Sequence, residues 1–136
     1  MDELLRLGVA AGLVALILAA AIGGRELLRR SLARRRGEPA DDIIERYGLP
    51  AGRPSVLYFW GERCVQCVQL QEPALRRLSE ERGVFVRKVR AADDPDLLRR
   101  FRILTVPSTV VIGPERRVRS VNLGFVDAEA LAQQLA

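Results

Sequence analysis

An uninterrupted apolar run near the N-terminus restricts the fold of this chain more than any other feature. Leu7–Gly24 contains 18 residues without a charged or strongly hydrogen-bonding side chain. As an α-helix such a run spans about 27 Å, close to the hydrocarbon core of a bilayer at about 30 Å. We therefore expect residues 1–28 to form a transmembrane helix that meets the membrane through residues 4–24. The 96 residues from Asp41 to Ala136 are enough for one small soluble core.

A cleaved signal peptide is the alternative interpretation of the same run. Its small residues Ala19, Ala20 and Ala21 have the pattern of a cleavage site. A signal peptide, however, begins with basic residues, whereas this chain begins with Asp2 and Glu3, and arginines follow its apolar run. The sequence therefore favours an uncleaved anchor.

The arginines flanking the run predict the orientation of the anchor. One arginine precedes it, and six follow between residues 25 and 36. The positive-inside rule then places the C-terminal part in the cytoplasm, with an extracytoplasmic domain as the alternative because short single-anchor proteins break this rule. The same cluster accounts for much of the pI near 10.2. This distribution indicates a membrane-flanking segment and no nucleic-acid partner.

Residues 8–12 contain a GxxxG motif, which would support a weak dimer through the membrane helix. Residues 29–48 are predicted to be a basic linker with one short helix, Asp41–Tyr47. We expect Asp41 or Asp42 to cap this helix and Gly48 to end it.

Residues 49–136 have the pattern of an α/β domain with the order β-α-β-α-β-β-α. A parallel βαβ unit precedes an antiparallel hairpin and a final helix, which predicts a mixed sheet with helices on both faces. The predicted strands are 55–60, 84–89, 108–112 and 117–123. The predicted helices are 64–82, kinked at Pro73, one capped by Asp94 and one capped by Asp127.

Two cysteines carry the chemistry that the sequence offers. The chain contains no histidine, which excludes Ser-His and Cys-His catalysis, and its cysteines are Cys64 and Cys67. They stand where a buried strand precedes a helix, and their spacing puts both sulfurs on one helical face. The helix N-terminus favours the thiolate of Cys64, and the preceding Arg63 acts in the same direction. Cys67, one turn inside, is suited to attack a mixed disulfide formed by Cys64.

Metal binding and a structural role are the alternatives for the two cysteines. One chain lacks the Cys and His donors to complete a tetrahedral zinc site, although a dimer sharing a metal through two CxxC pairs would supply them. We expect neither a metal nor an organic cofactor.

Three segments together resemble the thioredoxin family: residues 59–67 (FWGERCVQC), residues 106–109 (VPST) and Gly124. The resemblance covers Leu49–Ala136 and is greatest to small bacterial thioredoxin-like proteins with one N-terminal membrane helix. It implies a thioredoxin fold and a protein thiol–disulfide oxidoreductase, with protein thiols and disulfides as partners and an electron donor such as a thioredoxin reductase. A membrane-tethered thioredoxin-like binding module with little redox activity is the alternative.

The resemblance also implies a role for each site residue. Cys64 is then the nucleophile and Cys67 the resolving thiol, joined in a Cys64–Cys67 disulfide when oxidised. Pro107 is expected to be cis beside the sulfurs. The Val106 backbone is expected to pair with substrate and Trp60 to pack beside the site.

Several positions depart from the family pattern. The family's buried acid falls at Tyr58, which is no proton acceptor near neutral pH. Lys88 matches the basic partner of that acid, or is simply a solvated strand residue. Arg63 replaces a tryptophan, Val-Gln replaces Gly-Pro between the cysteines, and Pro73 comes one residue late. These departures bear on the redox potential and on the deprotonation of Cys67.

Overall fold

A computed structural model describes residues 1–136, apart from the side chains of residues 32 and 34, and divides them into units 1–33 and 34–136. The first unit consists almost entirely of the long helix α1 (Asp2–Arg34), whose last residue belongs to the second unit. Its apolar side chains are exposed along its length. The helical segment 2–31 is long enough and apolar enough to cross a membrane. The helix passes the expected end at residue 28 and continues through most of the arginine cluster.

The segment predicted as a linker is held on the second unit by backbone hydrogen bonds. Gly37 N–H donates to the carbonyl of Val118 at 2.7 Å, and Val118 N–H donates to the carbonyl of Glu38 at 2.9 Å. Ala40 N–H donates to the carbonyl of Arg116 at 3.0 Å. Residues 37–40 therefore pair with residues 116–118, at the start of the last strand, as part of the folded domain.

Helix α2 (Asp41–Tyr47) follows, with Gly48 in the left-handed conformation that ends it. The expected cap by Asp41 or Asp42 is wrong, because Ala40 occupies the cap position without a side-chain hydrogen bond. Arg116 binds the Asp41 carboxylate and Arg100 binds that of Asp42, each at 2.6 Å. Both carboxylates are thus engaged by distant arginines instead of the helix amides.

The domain is built on a four-stranded mixed sheet with the order β2-β1-β3-β4. Its strands are β1 (Ser55–Trp60), β2 (Phe85–Arg90), β3 (Ser108–Ile112) and β4 (Val118–Leu123). β1 is parallel to β2 and antiparallel to β3, which is antiparallel to β4. The mixed sheet is confirmed, and β2 and β4 each begin one residue later than expected.

Helices cover both faces of the sheet: α3 (Glu72–Arg82), α4 (Pro95–Arg100) and α5 (Ala128–Leu135), together with α2. Side chains alternate along β1, so Val56 and Tyr58 share one core cluster with residues of α3 and α5, while Leu57 and Phe59 point to the opposite face. The predicted caps of α4 and α5 are confirmed, because Asp94 accepts from Leu97 N–H and Asp127 from Ala130 N–H. The central strand is thereby fixed from both sides, and its C-terminal end leads into the cysteines.

Candidate active site

Three segments of the domain meet at one edge of the sheet. The strand register pairs Phe59 near the end of β1 with Ser108 at the start of β3, and Ser108 with Leu123 at the end of β4. The residues after β1, before β3 and after β4 consequently share this edge. They are the cysteine segment, Val106–Pro107 and residues 124–126.

Gly61 allows the first two of these segments to approach closely. A Cβ at this position would lie 3.0 Å from Cγ2 of Val106, closer than ordinary van der Waals contact. Because Gly61 has no side chain, Val106 can lie directly beside the cysteine segment. The Val106–Pro107 peptide bond is cis, and Pro107 is buried.

Cys64 and Cys67 are joined by a disulfide, with their Cα atoms 5.2 Å apart. Cys67 is only 1% exposed, whereas Cys64 is partly exposed. The helix begins after Cys64, and Cys67 N–H donates to the Cys64 sulfur at 3.2 Å. An amide directed at a sulfur favours the negative charge of a thiolate there. The two sulfurs thus differ in access and in electrostatic environment.

Arg63 precedes this pair in a left-handed conformation, with φ of 59°. Its side chain is exposed, and it lines the same surface pocket as the two cysteines. A residue with a Cβ costs about 1–2 kcal/mol in this conformation. The segment before Cys64 therefore makes a sharp turn at Arg63.

The helix that carries Cys67 contains a π-turn at Cys67–Gln71, where Glu72 N–H donates to the carbonyl of Cys67. Pro73 has no N–H with which to bond the preceding turn. The helix widens upstream of Pro73, and a regular helix, α3, resumes at Glu72. The irregularity expected at Pro73 therefore takes the form of a π-turn, a feature that is frequent at functional sites.

Gln71, at the end of the π-turn, holds the segment that follows β4. Its side chain is 0% exposed, and its amide exchanges two hydrogen bonds with the backbone of Val126. The Nε2 atom donates to the Val126 carbonyl at 3.0 Å, and the Oε1 atom accepts from Val126 N–H at 3.1 Å. Gln71 lies four residues after Cys67 in the same helix, so its hydrogen bonds connect that helix to the loop after β4.

Glu72 is a site residue that the sequence did not single out. Lys88 Nζ lies 3.1 Å from its Oε1 atom, and the hydroxyl of Tyr58 donates to its Oε2 atom at 3.2 Å. Lys88 Nζ also lies 4.6 Å from the centre of the Trp60 ring. Lys88, an expected site residue, therefore connects Trp60 to a carboxylate.

Helical periodicity hides Glu72 from sequence analysis. In a regular helix residues five apart differ by about 140° in direction, so Glu72 would point away from the face of Cys67. The i to i+5 bonding of the π-turn reduces that angle. A proline one residue later than the family pattern was the only sequence signal of this change.

Tyr58 is held as a neutral hydrogen-bond donor to Glu72. Burial, then the negative charge of Glu72 and the hydrogen bond to it, raise the pKa of Tyr58 above its ordinary value of about 10. Because the phenol stays protonated, it donates to the carboxylate throughout the physiological pH range.

The cysteines, Glu72 and Lys88 line a common surface pocket of about 440 Å³. Trp60 forms part of its wall, and the exposed apolar side chains of Val65 and Val68 stand at its rim.

Within the residues that the structure describes, no group of three or more His, Cys, Asp and Glu residues is placed to hold a metal ion.

Comparisons with known proteins bear on the fold. Neither a protein-family model nor a curated protein matches the sequence. Among solved structures, a mutant thioredoxin from Halobacterium salinarum has a TM-score of 0.58 and 18% identity, covering 71% of this chain and 83% of that one.

Two solved proteins of malaria parasites are also similar. Thioredoxin-2, described as a component of the parasite's protein secretion machinery, has a TM-score of 0.52 and 22% identity and covers 60% of this chain and 79% of its own. A second malarial protein has a TM-score of 0.52 and 20% identity, with coverage of 60% and 92%. The second unit of this chain thus has the thioredoxin fold, with a disulfide of the CxxC type at its sheet edge.

Proposed function

We propose that this thioredoxin-fold chain is a membrane-anchored thiol–disulfide oxidoreductase that exchanges disulfides with protein substrates through Cys64 and Cys67. The observation that carries the proposal is the unequal pair of sulfurs at the start of a helix. The outer sulfur receives an amide hydrogen bond and the inner sulfur is buried. Such a pair suits two-step exchange, in which one thiolate attacks and the other resolves.

In the reducing direction the Cys64 thiolate attacks one sulfur of a substrate disulfide. A mixed disulfide forms and the first substrate thiolate leaves. Cys67 then loses its proton and attacks the Cys64 sulfur, so the protein disulfide forms and the second substrate thiolate leaves. Two electrons pass from the protein dithiol to the substrate, and a dithiol donor such as a thioredoxin reductase returns them. The oxidising direction is the reverse.

Arg63 tunes the nucleophile in this proposal. Its positive charge next to Cys64 adds to the effect of the helix N-terminus in favouring the thiolate. Arg63→Gln is expected to slow alkylation of Cys64 by iodoacetamide at pH 6.5, while Arg63→Lys keeps the charge and most of the rate.

Apolar side chains around the disulfide support a protein substrate. Val65 and Val68 are 63% and 66% exposed at the pocket rim, and Phe125 follows β4 at the same sheet edge. Exposed apolar groups gathered at one place indicate a binding surface. The Val106 backbone would bind an extended substrate chain there, with Pro107 and Trp60 shaping the groove.

Anchoring by α1 and a cytoplasmic domain complete the proposal. The length and composition of α1 support a single membrane span, and the six arginines after its apolar run support a cytoplasmic domain. In intact cells treated with a reductant, a membrane-impermeant maleimide should then label the cysteines only after permeabilisation. Labelling of intact cells would place the domain outside the cytoplasm.

Reduction of insulin disulfides by dithiothreitol tests the activity. The full chain in detergent should accelerate the reaction, and Cys64→Ser should abolish the acceleration. Cys67→Ser should retain the first step and accumulate mixed disulfides with substrate. A wild-type chain without activity whose disulfide does not respond to reductant would favour the binding module instead.

A further inference from the structure

The resolving step requires a proton acceptor for Cys67. A thiol with an ordinary pKa near 8.5 is about 3% thiolate at pH 7, and burial in apolar surroundings lowers that fraction further. Cys67 is 1% exposed and belongs to the core cluster with Tyr58 and Leu75. The chain has no histidine to accept the proton. Another group at the site therefore has to accept the Cys67 proton if resolution is to be fast.

Two carboxylates line the pocket that contains the cysteines, Glu62 and Glu72. The Glu62 side chain is 67% exposed and is paired with Arg90. The Glu72 side chain is 29% exposed, and the π-turn that begins at Cys67 ends next to it. Glu72 is thus the carboxylate that is both shielded and connected to the buried cysteine by a single helical turn.

The contacts of Glu72 hold it in place without exhausting its capacity as an acceptor. Lys88 binds one carboxylate oxygen and the Tyr58 hydroxyl binds the other. Each oxygen of a carboxylate has two lone pairs, so one on each oxygen stays open for a water or a thiol proton. Charged groups that share the surroundings of Glu72 are Lys88 from β2, Arg76 and Glu80 from α3, and Arg63 and Glu62 from the cysteine segment.

We propose that Glu72 accepts the proton of Cys67 during resolution of the mixed disulfide, directly or through one water molecule in the shared pocket. This inference rests on the proposed function. The proton moves from the Cys67 sulfur to the Glu72 carboxylate, the resulting thiolate bonds to the Cys64 sulfur, and the bond from Cys64 to the substrate sulfur breaks. The substrate leaves as a thiolate and takes a proton from Glu72 or solvent, which returns the carboxylate to its starting state.

One equivalent of 5,5′-dithiobis(2-nitrobenzoate) resolves the two steps in the reduced full chain in detergent. Attack by Cys64 releases the first coloured thiolate, and resolution by Cys67 releases the second. Stopped-flow absorbance from pH 6 to pH 9.5 gives both rates for wild type, Glu72→Gln and Glu72→Asp. Glu81→Gln is the matched control, because it removes an exposed carboxylate from the same helix.

We expect Glu72→Gln to slow the second release about tenfold to thirtyfold at pH 7, a scale set by the roughly 3% thiolate of an unassisted thiol with an ordinary pKa. The first release stays at the wild-type rate. The deficit closes as the pH approaches the pKa of the thiol itself, and Glu72→Asp recovers most of the rate.

Two results would overturn the assignment of Glu72. One is a second release in Glu72→Gln equal to that of Glu81→Gln. The other is a deficit that is the same at every pH, which indicates a structural effect on the helix. Failure of the proposed function is distinct from both, because wild type itself would then give no second release.

Discussion

The hydroxyl of Tyr58 on β1 donates a hydrogen bond to the carboxylate of Glu72 on α3 at 3.2 Å. This bond ties the centre of the sheet to the helix that follows the cysteines. On the other side, Lys88 of β2 pairs with the same carboxylate. Two neighbouring strands thus position the Glu72 carboxylate on the helix. The geometry of the pocket beside Cys67 depends on Tyr58, Lys88 and Glu72 together.

Tyr58→Phe should separate the positioning of Glu72 from the packing of the core. The ring is retained, whereas the hydrogen bond is lost. We expect a loss of about 1 kcal/mol in the free energy of unfolding, since water reaches the half-buried carboxylate. The resolving step should slow severalfold, while attack by Cys64 is unchanged. Urea unfolding followed by the fluorescence of Trp60, together with the two-step thiol assay, measures both effects. Unchanged resolution would mean that Tyr58 does not position Glu72.

Tyr47 should make the stability of the domain depend on pH in the alkaline range. Its hydroxyl donates to the buried carboxylate of Asp94. Burial, then this hydrogen bond and the charge of Asp94, raise the pKa of Tyr47 from 10.0 to about 12. The stabilisation is therefore fully present below pH 10 and is lost as the pH rises towards 12, because the unfolded chain releases the phenolic proton first.

Tyr47→Phe tests this dependence. At pH 7 the variant should be less stable than wild type by about 1–2 kcal/mol, and the difference should narrow between pH 10 and pH 12. Urea unfolding across this range is the measurement. A difference that stays constant to pH 12 would show that ionisation of Tyr47 has no part in the alkaline loss.

Gln71→Leu should destabilise the loop beside the disulfide. The substitution keeps much of the volume but leaves the N–H and the carbonyl of Val126 without their partner. We expect a loss of about 2–3 kcal/mol, because unpaired backbone groups near the core retain their desolvation cost. Gln69→Leu, at an exposed position in the same π-turn, is the control and should change stability by less than about 0.5 kcal/mol. Equal effects of the two variants would remove the proposed role of Gln71.

Gly61→Ala should disturb the approach of Val106 to the cysteine segment. The new methyl group would lie 3.0 Å from Cγ2 of Val106, so one of the two segments has to shift. We expect a loss of about 1–3 kcal/mol from overpacking and a severalfold decrease in insulin reduction. Adding Val106→Ala removes the opposing methyl groups and should restore part of the stability lost in the single variant. Losses that simply add in the double variant would show that the two residues do not interact.

Local patterns in the sequence predict most of this fold. The apolar residues of β1 identify the central strand, and the caps of α4 and α5 depend on a side chain and an amide three residues apart. The cap of α2 was predicted wrongly because its two aspartates bind arginines 75 and 58 positions further along the chain. Such long-range pairs leave no local signal.

The residues of the candidate site likewise fall into those that local sequence patterns identify and those that they do not. Cys64, Cys67, Val106 and Pro107 belong to motifs, and the sheet register brings these motifs to one edge. Glu72 could not be found in this way, since its direction depends on a π-turn that regular helical periodicity does not describe. The segment at residues 37–40 has a linker composition, but its backbone bonds to Arg116 and Val118 make it part of the domain.

The redox equilibrium of the Cys64–Cys67 pair tests the proposed function most directly. The full chain in detergent would be equilibrated with glutathione and dithiothreitol buffers, and its free thiols trapped and counted. We predict one reversible two-electron transition, between about −270 and −120 mV, the range of thiol–disulfide oxidoreductases. A midpoint near −270 mV would indicate a reductant and agree with a cytoplasmic domain. A pair that stays oxidised or stays reduced across every buffer would contradict the proposal.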